Sequence, residues 1–169
     1  VVFGLNDQFI NRFAGILKLC IGFFPLACAN SKFAPIFVGD LVARIVDGID
    51  DNATYGKRYP LCGPEVFTLK QILKLITASM GLSCRIISLN NGLSKLQAFL
   101  LQNLPGKLFT MDNYGSLQTP SVCSNCDHGK TSLTQYIQNI GVLFGRKKHY
   151  DDFRQNHSSN HSPIIKQKP

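Results

Sequence analysis

The sequence predicts an α/β fold. Short apolar runs rich in β-branched and aromatic residues alternate with stretches of helical periodicity, and Gly or Pro marks most of the boundaries. The order strand then helix recurs along the chain from Val1 to Pro105, the pattern of α/β architecture.

The elements follow in order. Val1–Gly4 (VVFG) reads as the tail of a buried strand, and Leu5–Gln8 as a turn with Asn6 or Asp7 placed to cap a helix. That helix puts Phe9, Ile10, Phe13, Ile16, Leu17 and Cys20 on one broad face, with Asn11, Arg12 and Lys18 toward the other. Gly22–Ser31 reads as an apolar loop around Pro25, which would pack over a site or touch a partner. Phe33–Val38 predicts a short strand ended by Gly39-Asp40, and Asp40 is placed to cap a helix carrying Leu41, Val42, Ile45, Val46 and Ile49. Asp50–Gly56 is a polar connector, and Arg58–Cys62 a strand stopped by the Gly63-Pro64 turn.

Thr68 and Gln71 have the spacing of a capping box, in which each side chain bonds the other residue's backbone N–H. Leu69, Ile72, Leu73, Ile76 and Met80 then form one face of a helix, with Gly81 past its end. Cys84–Leu89 is another strand. Leu93, Leu96, Phe99, Leu100 and Leu104 mark a further helix, closed by Pro105-Gly106. Short helices are expected near Thr110–Leu117 and at Ser132–Ile140, and no internal repeat is present.

At 169 residues the chain is large enough to bury a core. Its 17% of charged residues is low, against ~25% for soluble domains, so something else is expected to cover apolar surface. The rest of a larger protein is the first candidate and a membrane surface the second. The net charge of +8 is unevenly spread: residues 146–169 carry six Lys or Arg against two acidic residues, half of the excess. That stretch also holds His149, His157 and His161 among polar residues, and it reads as a disordered, solubilising basic tail. The apolar stretch Phe13–Ala29 is broken by Lys18 and Pro25 and is too short to cross a bilayer.

Six cysteines are present. Cys20, Cys28, Cys62 and Cys84 lie in apolar or strand-like runs, where a free thiol behaves as a small hydrophobe, and a reducing compartment is expected. Cys123, Cys126 and His128 are weak metal candidates. C-x-x-C can begin a zinc site, but a closed site needs four ligands and this segment offers three. The redox reading of C-x-x-C expects a βαβ context that the segment lacks. Asp40 with Asp47, and Asp50 with Asp51, do not read as acid/base pairs.

Val2–Asp7 (VFGLND), Phe33–Asp40 (FAPIFVGD) and Gly63–Thr68 (GPEVFT), with the helix after them, occur in the order found in the later half of extended short-chain dehydrogenase/reductases. Residues 1–118 resemble the atypical branch of that family that includes the accessory NAD(P)H-binding subunit of respiratory complex I (alpha-subcomplex subunit nine) and its bacterial relatives. The resemblance implies the later half of a Rossmann-type doubly wound fold plus a small substrate-side lobe, incomplete alone. Beyond the resemblance, residues 119–145 read as an irregular or helical extension, ahead of the tail at 146–169.

By the same resemblance, the backbone of Phe3 and Gly4 would line a nicotinamide ring, while Arg12, Lys32, Phe33 and Pro35 would lie on the substrate side. NADP or NAD would bind only with an upstream half carrying the glycine-rich turn. No Tyr-x-x-x-Lys pair and no glycine fingerprint occur in the sequence, so no catalytic residue is expected here. The implied partners are the upstream half, respiratory-chain or quinone-synthesis proteins, and a peripheral membrane contact; nucleic acid is not expected. The implied place is the bacterial cytoplasm or the mitochondrial matrix, peripheral to the inner membrane. Two other readings stand beside this one: a non-enzymatic interaction module using the basic tail and apolar loop, and a fragment of a nucleotide-sugar epimerase or dehydratase.

Overall fold

The computed structural model describes residues 1–5, 7–49, 51–103, 109–123 and 126–139. Expectations for Leu104, Pro105-Gly106 and the tail lie outside these residues. Helices and short strands alternate as the sequence predicts, and the described strands associate as four two-stranded pairs. The chain is thus mixed helix and strand, with small sheets.

β1 (Val2–Phe3) leads into α1 (Gln8–Lys18), where Asp7 Oδ1 accepts the backbone N–H of Ile10 at 2.6 Å. Asp7 thereby satisfies one of the donors that a helix start leaves open. Ile10, Ala14 and Leu17 form the buried stripe of α1. The chain then enters β2 (Gly22–Leu26), where the sequence predicted a loop. β2 runs parallel to β7 (Cys84–Ser88) over its full length, Gly22 opposite Cys84 and Leu26 opposite Ser88. Pro25 is tolerated because β2 has a single strand partner among the described residues, so one side of it needs no backbone donor there.

The predicted strand Phe33–Val38 is divided. β3 (Lys32–Phe33) and β4 (Ile36–Phe37) are separated by Ala34-Pro35, and Pro35 has no N–H to continue a ladder. β3 pairs antiparallel with β6 (Phe67–Thr68), and β4 parallel with β1. α2 (Val38–Ile49) starts earlier than expected, so Asp40 sits inside its first turn instead of capping it. The carboxylate is used elsewhere: Oδ2 accepts the N–H groups of Lys130 and Thr131 at 2.8 Å each. Of the predicted strand Arg58–Cys62, only β5 (Leu61–Cys62) forms, paired parallel with β8 (Asp127–His128).

α3 (Leu69–Ser79) is the centre of the core. The Thr68–Gln71 capping box is complete, and Gly81 takes the left-handed conformation, φ +63°, after the helix end. Leu69, Ile72, Leu73 and Ile76 are at most 2% exposed and pack with Phe3, Leu17, Leu26 and Ile86. Each such side chain contributes about 1.5–3 kcal/mol relative to exposure.

α4 (Asn91–Leu101) corrects another expectation. Leu93, Leu96, Phe99 and Leu100 are exposed, and the buried positions are Ser94 and Ala98. Small residues let the helix approach closely enough for Ser94 Oγ to accept the backbone N–H of Cys28 at 3.4 Å. α5 (Met111–Gln118) is capped by Thr110, and residues 133–139 form a last described helical run, both where the sequence placed them. α2 buries no residue at all: Val38, Val42, Ile45, Val46 and Ile49 are all exposed. No helix among the described residues is long and apolar enough to cross a membrane.

Candidate functional site

A cleft of about 600 Å³ opens between α1, the end of β2, α4 and α5. Its wall is mostly apolar, built from Phe9, Phe13 and Ile16 of α1, Phe24 of β2, Leu101 and Phe109. The ring of Phe9 sits edge-on to Phe13 at 5.2 Å and packs at 5.8 Å on Phe33, which is core. These contacts hold the wall in one arrangement.

Few polar groups line the cleft, among them Arg12, Gln97 and Asn113. Gln97 is tethered by its Nε2, which donates to the carbonyl of Pro25 at 3.1 Å. Its Oε1 is buried and has no hydrogen-bond partner among the described residues. An unsatisfied buried acceptor costs about 1–3 kcal/mol. A bound molecule bringing an O–H or N–H donor would recover that cost. The site therefore suits a ligand with an apolar body and a donor on its polar end.

The residues singled out in the sequence fall into different places. Arg12 lines the cleft. Lys32 is exposed on β3, whereas Phe33 and Pro35 are buried, and none of the three lines the cleft. Phe3 is 1% exposed, with its ring 5.6 Å from Phe37 and 5.0 Å from Tyr136. A Cβ at Gly4 would lie 2.7 Å from Cγ1 of Val38, so a larger residue there would have to displace that side chain. Both residues sit at the carboxyl end of β1, beside the start of α2.

Cys123 and Cys126 come together with Cys62, and His128 lies 4.0 Å from Cys126 Sγ. The sulfurs of Cys62, Cys123 and Cys126 all lie within 4.8 Å of one another. Burial, then hydrogen bonding to Cys123 and Cys126, pushes the Cys62 thiol up to about 12. Cys62 is 2% exposed, as the small-hydrophobe reading expects, but it also faces two other thiols. Cys20 and Cys84 likewise meet, with their sulfurs 2.7 Å apart.

Sequence reasoning missed Gln97, Phe109 and Asn113 as lining residues. Gln97 had one available signal: an amide set among the apolar positions of a helix. Cys62 had none, since the chain separates it by some sixty residues from the C-x-x-C pair.

No protein-family model matches the chain. Over 133 residues it is 29% identical to NADH dehydrogenase (ubiquinone) 1 alpha subcomplex subunit 9, mitochondrial, of Arabidopsis thaliana, a match covering 72% of this chain and 33% of that protein. Over 76 residues it is 32% identical to the protein of the same description from Dictyostelium discoideum, covering 45% of this chain and 21% of that one. A 48-residue match at 38% identity to a rice protein described as Cyclin-B1-2 covers 28% of this chain, too little to carry a functional argument. The chain spans about a third or less of the length of the curated relatives it matches, and it is similar to alpha-subcomplex subunit 9 from two organisms.

Proposed function

We propose that this chain is the substrate-side part of an NAD(P)(H)-binding, reductase-like protein that works with respiratory complex I. The observation that carries the reading is the 133-residue similarity to a subunit of NADH dehydrogenase (ubiquinone). Parallel pairing of β1 with β4, and of β2 with β7, is in keeping with part of a doubly wound α/β fold. The exposed apolar face of α2 fits the same reading, because an α/β helix normally buries that stripe against a further layer. In this proposal a preceding half supplies the glycine-rich turn that holds the pyrophosphate. This chain contributes the strand end at Phe3-Gly4 and the apolar cleft. Its role is binding and not proton transfer, since the sequence holds no Tyr-x-x-x-Lys pair.

The test is blue-native electrophoresis of gently solubilised membranes from the source organism, with an antibody against this chain. The protein is expected to comigrate with NADH-oxidising activity. Migration only at its own mass, with no signal at the active band, overturns the assignment to complex I.

The cleft makes a separate prediction. Ser116 lines it yet is exposed on α5, so Ser116→Trp should fill the cavity at little cost in stability. Titration with a fluorescent apolar probe is expected to show affinity at least ~10-fold weaker in Ser116→Trp, the equivalent of about 1.4 kcal/mol. Unchanged probe affinity in a folded variant would mean that the cleft is not the apolar binding site.

A further inference from the structure

We propose that Cys62, Cys123 and Cys126 bind a thiophilic divalent cation, with zinc the best chemical match and His128 as the fourth ligand. The inference rests on the side-chain cluster alone and does not depend on the role in complex I. In a tetrahedral zinc site with metal–sulfur bonds of about 2.3 Å, the sulfurs stand roughly 3.8 Å apart. Here three sulfurs from two distant parts of the chain already lie within 4.8 Å of one another. A small contraction completes three corners of a tetrahedron.

His128 lies beside Cys126, outside the set of ligand atoms within 4.8 Å of one another, and would shift to take the fourth corner. Its Nδ1 is 3.2 Å from the backbone carbonyl of Gly63. With Nδ1–H donating to that carbonyl, Nε2 carries the free lone pair, the tautomer that metal-bound histidines adopt. Nδ1 and Nε2 both lie 4.0 Å from Cys126 Sγ, so a turn of the ring is needed to aim Nε2 at the ion.

The backbone around the cluster is built to hold it. β5 and β8 pair with Cys62 opposite His128, and the N–H of Gly129 donates to the Cys62 carbonyl at 2.7 Å. Gly129 packs on Asp40, which in turn accepts from Lys130 and Thr131. Arg44 of α2 pairs with Asp127 at 3.2 Å. Four protein ligands leave no open coordination position, so the site is structural. The ion would clip the 123–131 segment onto β5. On binding, each coordinating thiol releases its proton to solvent and the thiolate takes the metal.

A disulfide is the competing chemistry, but it would use two of the three thiols and leave the third idle. The test is made on the intact, fully reduced protein. Zinc content is measured after purification without chelator, and the stripped protein is then titrated with Co²⁺. One zinc per chain is expected, with a thiolate-to-cobalt charge-transfer band that saturates at one equivalent. Cys62 is core, so Cys62→Ser risks unfolding; the exposed Cys123 is the decisive position. Cys123→Ser should lose stoichiometric metal while Cys20→Ser retains it, and His128→Ala should weaken binding by tenfold or more. Failure of the reduced protein to take up either ion, or uptake unchanged by Cys123→Ser, overturns the site. Unchanged affinity in His128→Ala removes His128 from the ligand set.

Discussion

Replacing Gly63 with alanine is expected to lower stability by at least about 3 kcal/mol, or to prevent folding outright. An added Cβ would lie 1.6 Å from the carbonyl oxygen of Pro35 and 2.6 Å from its carbon. Neither is the end of a flexible side chain that can swing away; both belong to the backbone that joins β3 to β4. Relief would require that backbone to move, and β4 is the hydrogen-bonded partner of β1 in the core. Gly15 provides the control. It lies in the middle of α1, and a Cβ added there would meet nothing within 4 Å, so Gly15→Ala should stabilise. The expected gain is about 0.5–1 kcal/mol from helix propensity. Chemical denaturation of both variants measures the contrast. A Gly63→Ala protein within ~1 kcal/mol of the parent would show that the Gly63–Pro35 approach does not constrain the fold.

That contrast separates what a sequence displays from what it conceals. The Asp7 cap, the Thr68–Gln71 box and the Gly81 turn were legible because each acts between residues no more than a few positions apart. The apolar positions Leu69, Ile72, Leu73 and Ile76 of α3 were legible for the same reason: helical spacing alone brings them to one face. Gly63 gave only a turn signal, since the neighbour that forbids a side chain there lies nearly thirty residues earlier. Gly22–Ser31 misled because Pro25 argues against a strand, and only the pairing with β7 reveals a position where its missing donor does no harm.

α4 shows a different limit. Leu93, Leu96, Phe99 and Leu100 share a side by periodicity, and hydrophobicity alone would bury them. The helix instead turns Ser94 and Ala98 inward, because the chain at Cys28 approaches too closely for a larger side chain. The cleft was only partly legible on the same grounds. Arg12 was expected on the substrate side only through the family resemblance, since helical spacing sets it toward the face opposite Phe9, Phe13 and Ile16, whereas Gln97 gains its meaning from the carbonyl of Pro25, more than seventy positions away. Cys62 is the extreme case: as sequence it is an ordinary core cysteine, and only the β5–β8 pairing brings it to the C-x-x-C thiols.

Phe3→Ala should cost about 3–5 kcal/mol, as for other large-to-small changes at fully buried aromatics. Phe3 is 1% exposed and touches the rings of both Phe37 and Tyr136, so truncation opens a cavity where β1, β4 and the helical run 133–139 meet. Tyr136→Phe at the same cluster should have the opposite sign. The Tyr136 hydroxyl is buried and has no partner among the described residues, and burial together with the nearby Asp7 carboxylate raises its pKa. Removing that oxygen keeps the ring contacts and deletes an unsatisfied polar atom, which should gain up to about 1 kcal/mol. Because the two rings are 5.0 Å apart, their effects will not add. The double variant should reveal a coupling of about 0.5–1.5 kcal/mol only if the second substitution also removes the ring, as in Phe3→Ala with Tyr136→Ala. Urea denaturation of the parent, Phe3→Ala, Tyr136→Phe, Tyr136→Ala and the double variant decides the matter. A Tyr136→Phe variant that loses more than ~1 kcal/mol would mean that a group beyond the described residues bonds the hydroxyl, which would place the carboxyl end of β1 against a further part of the protein.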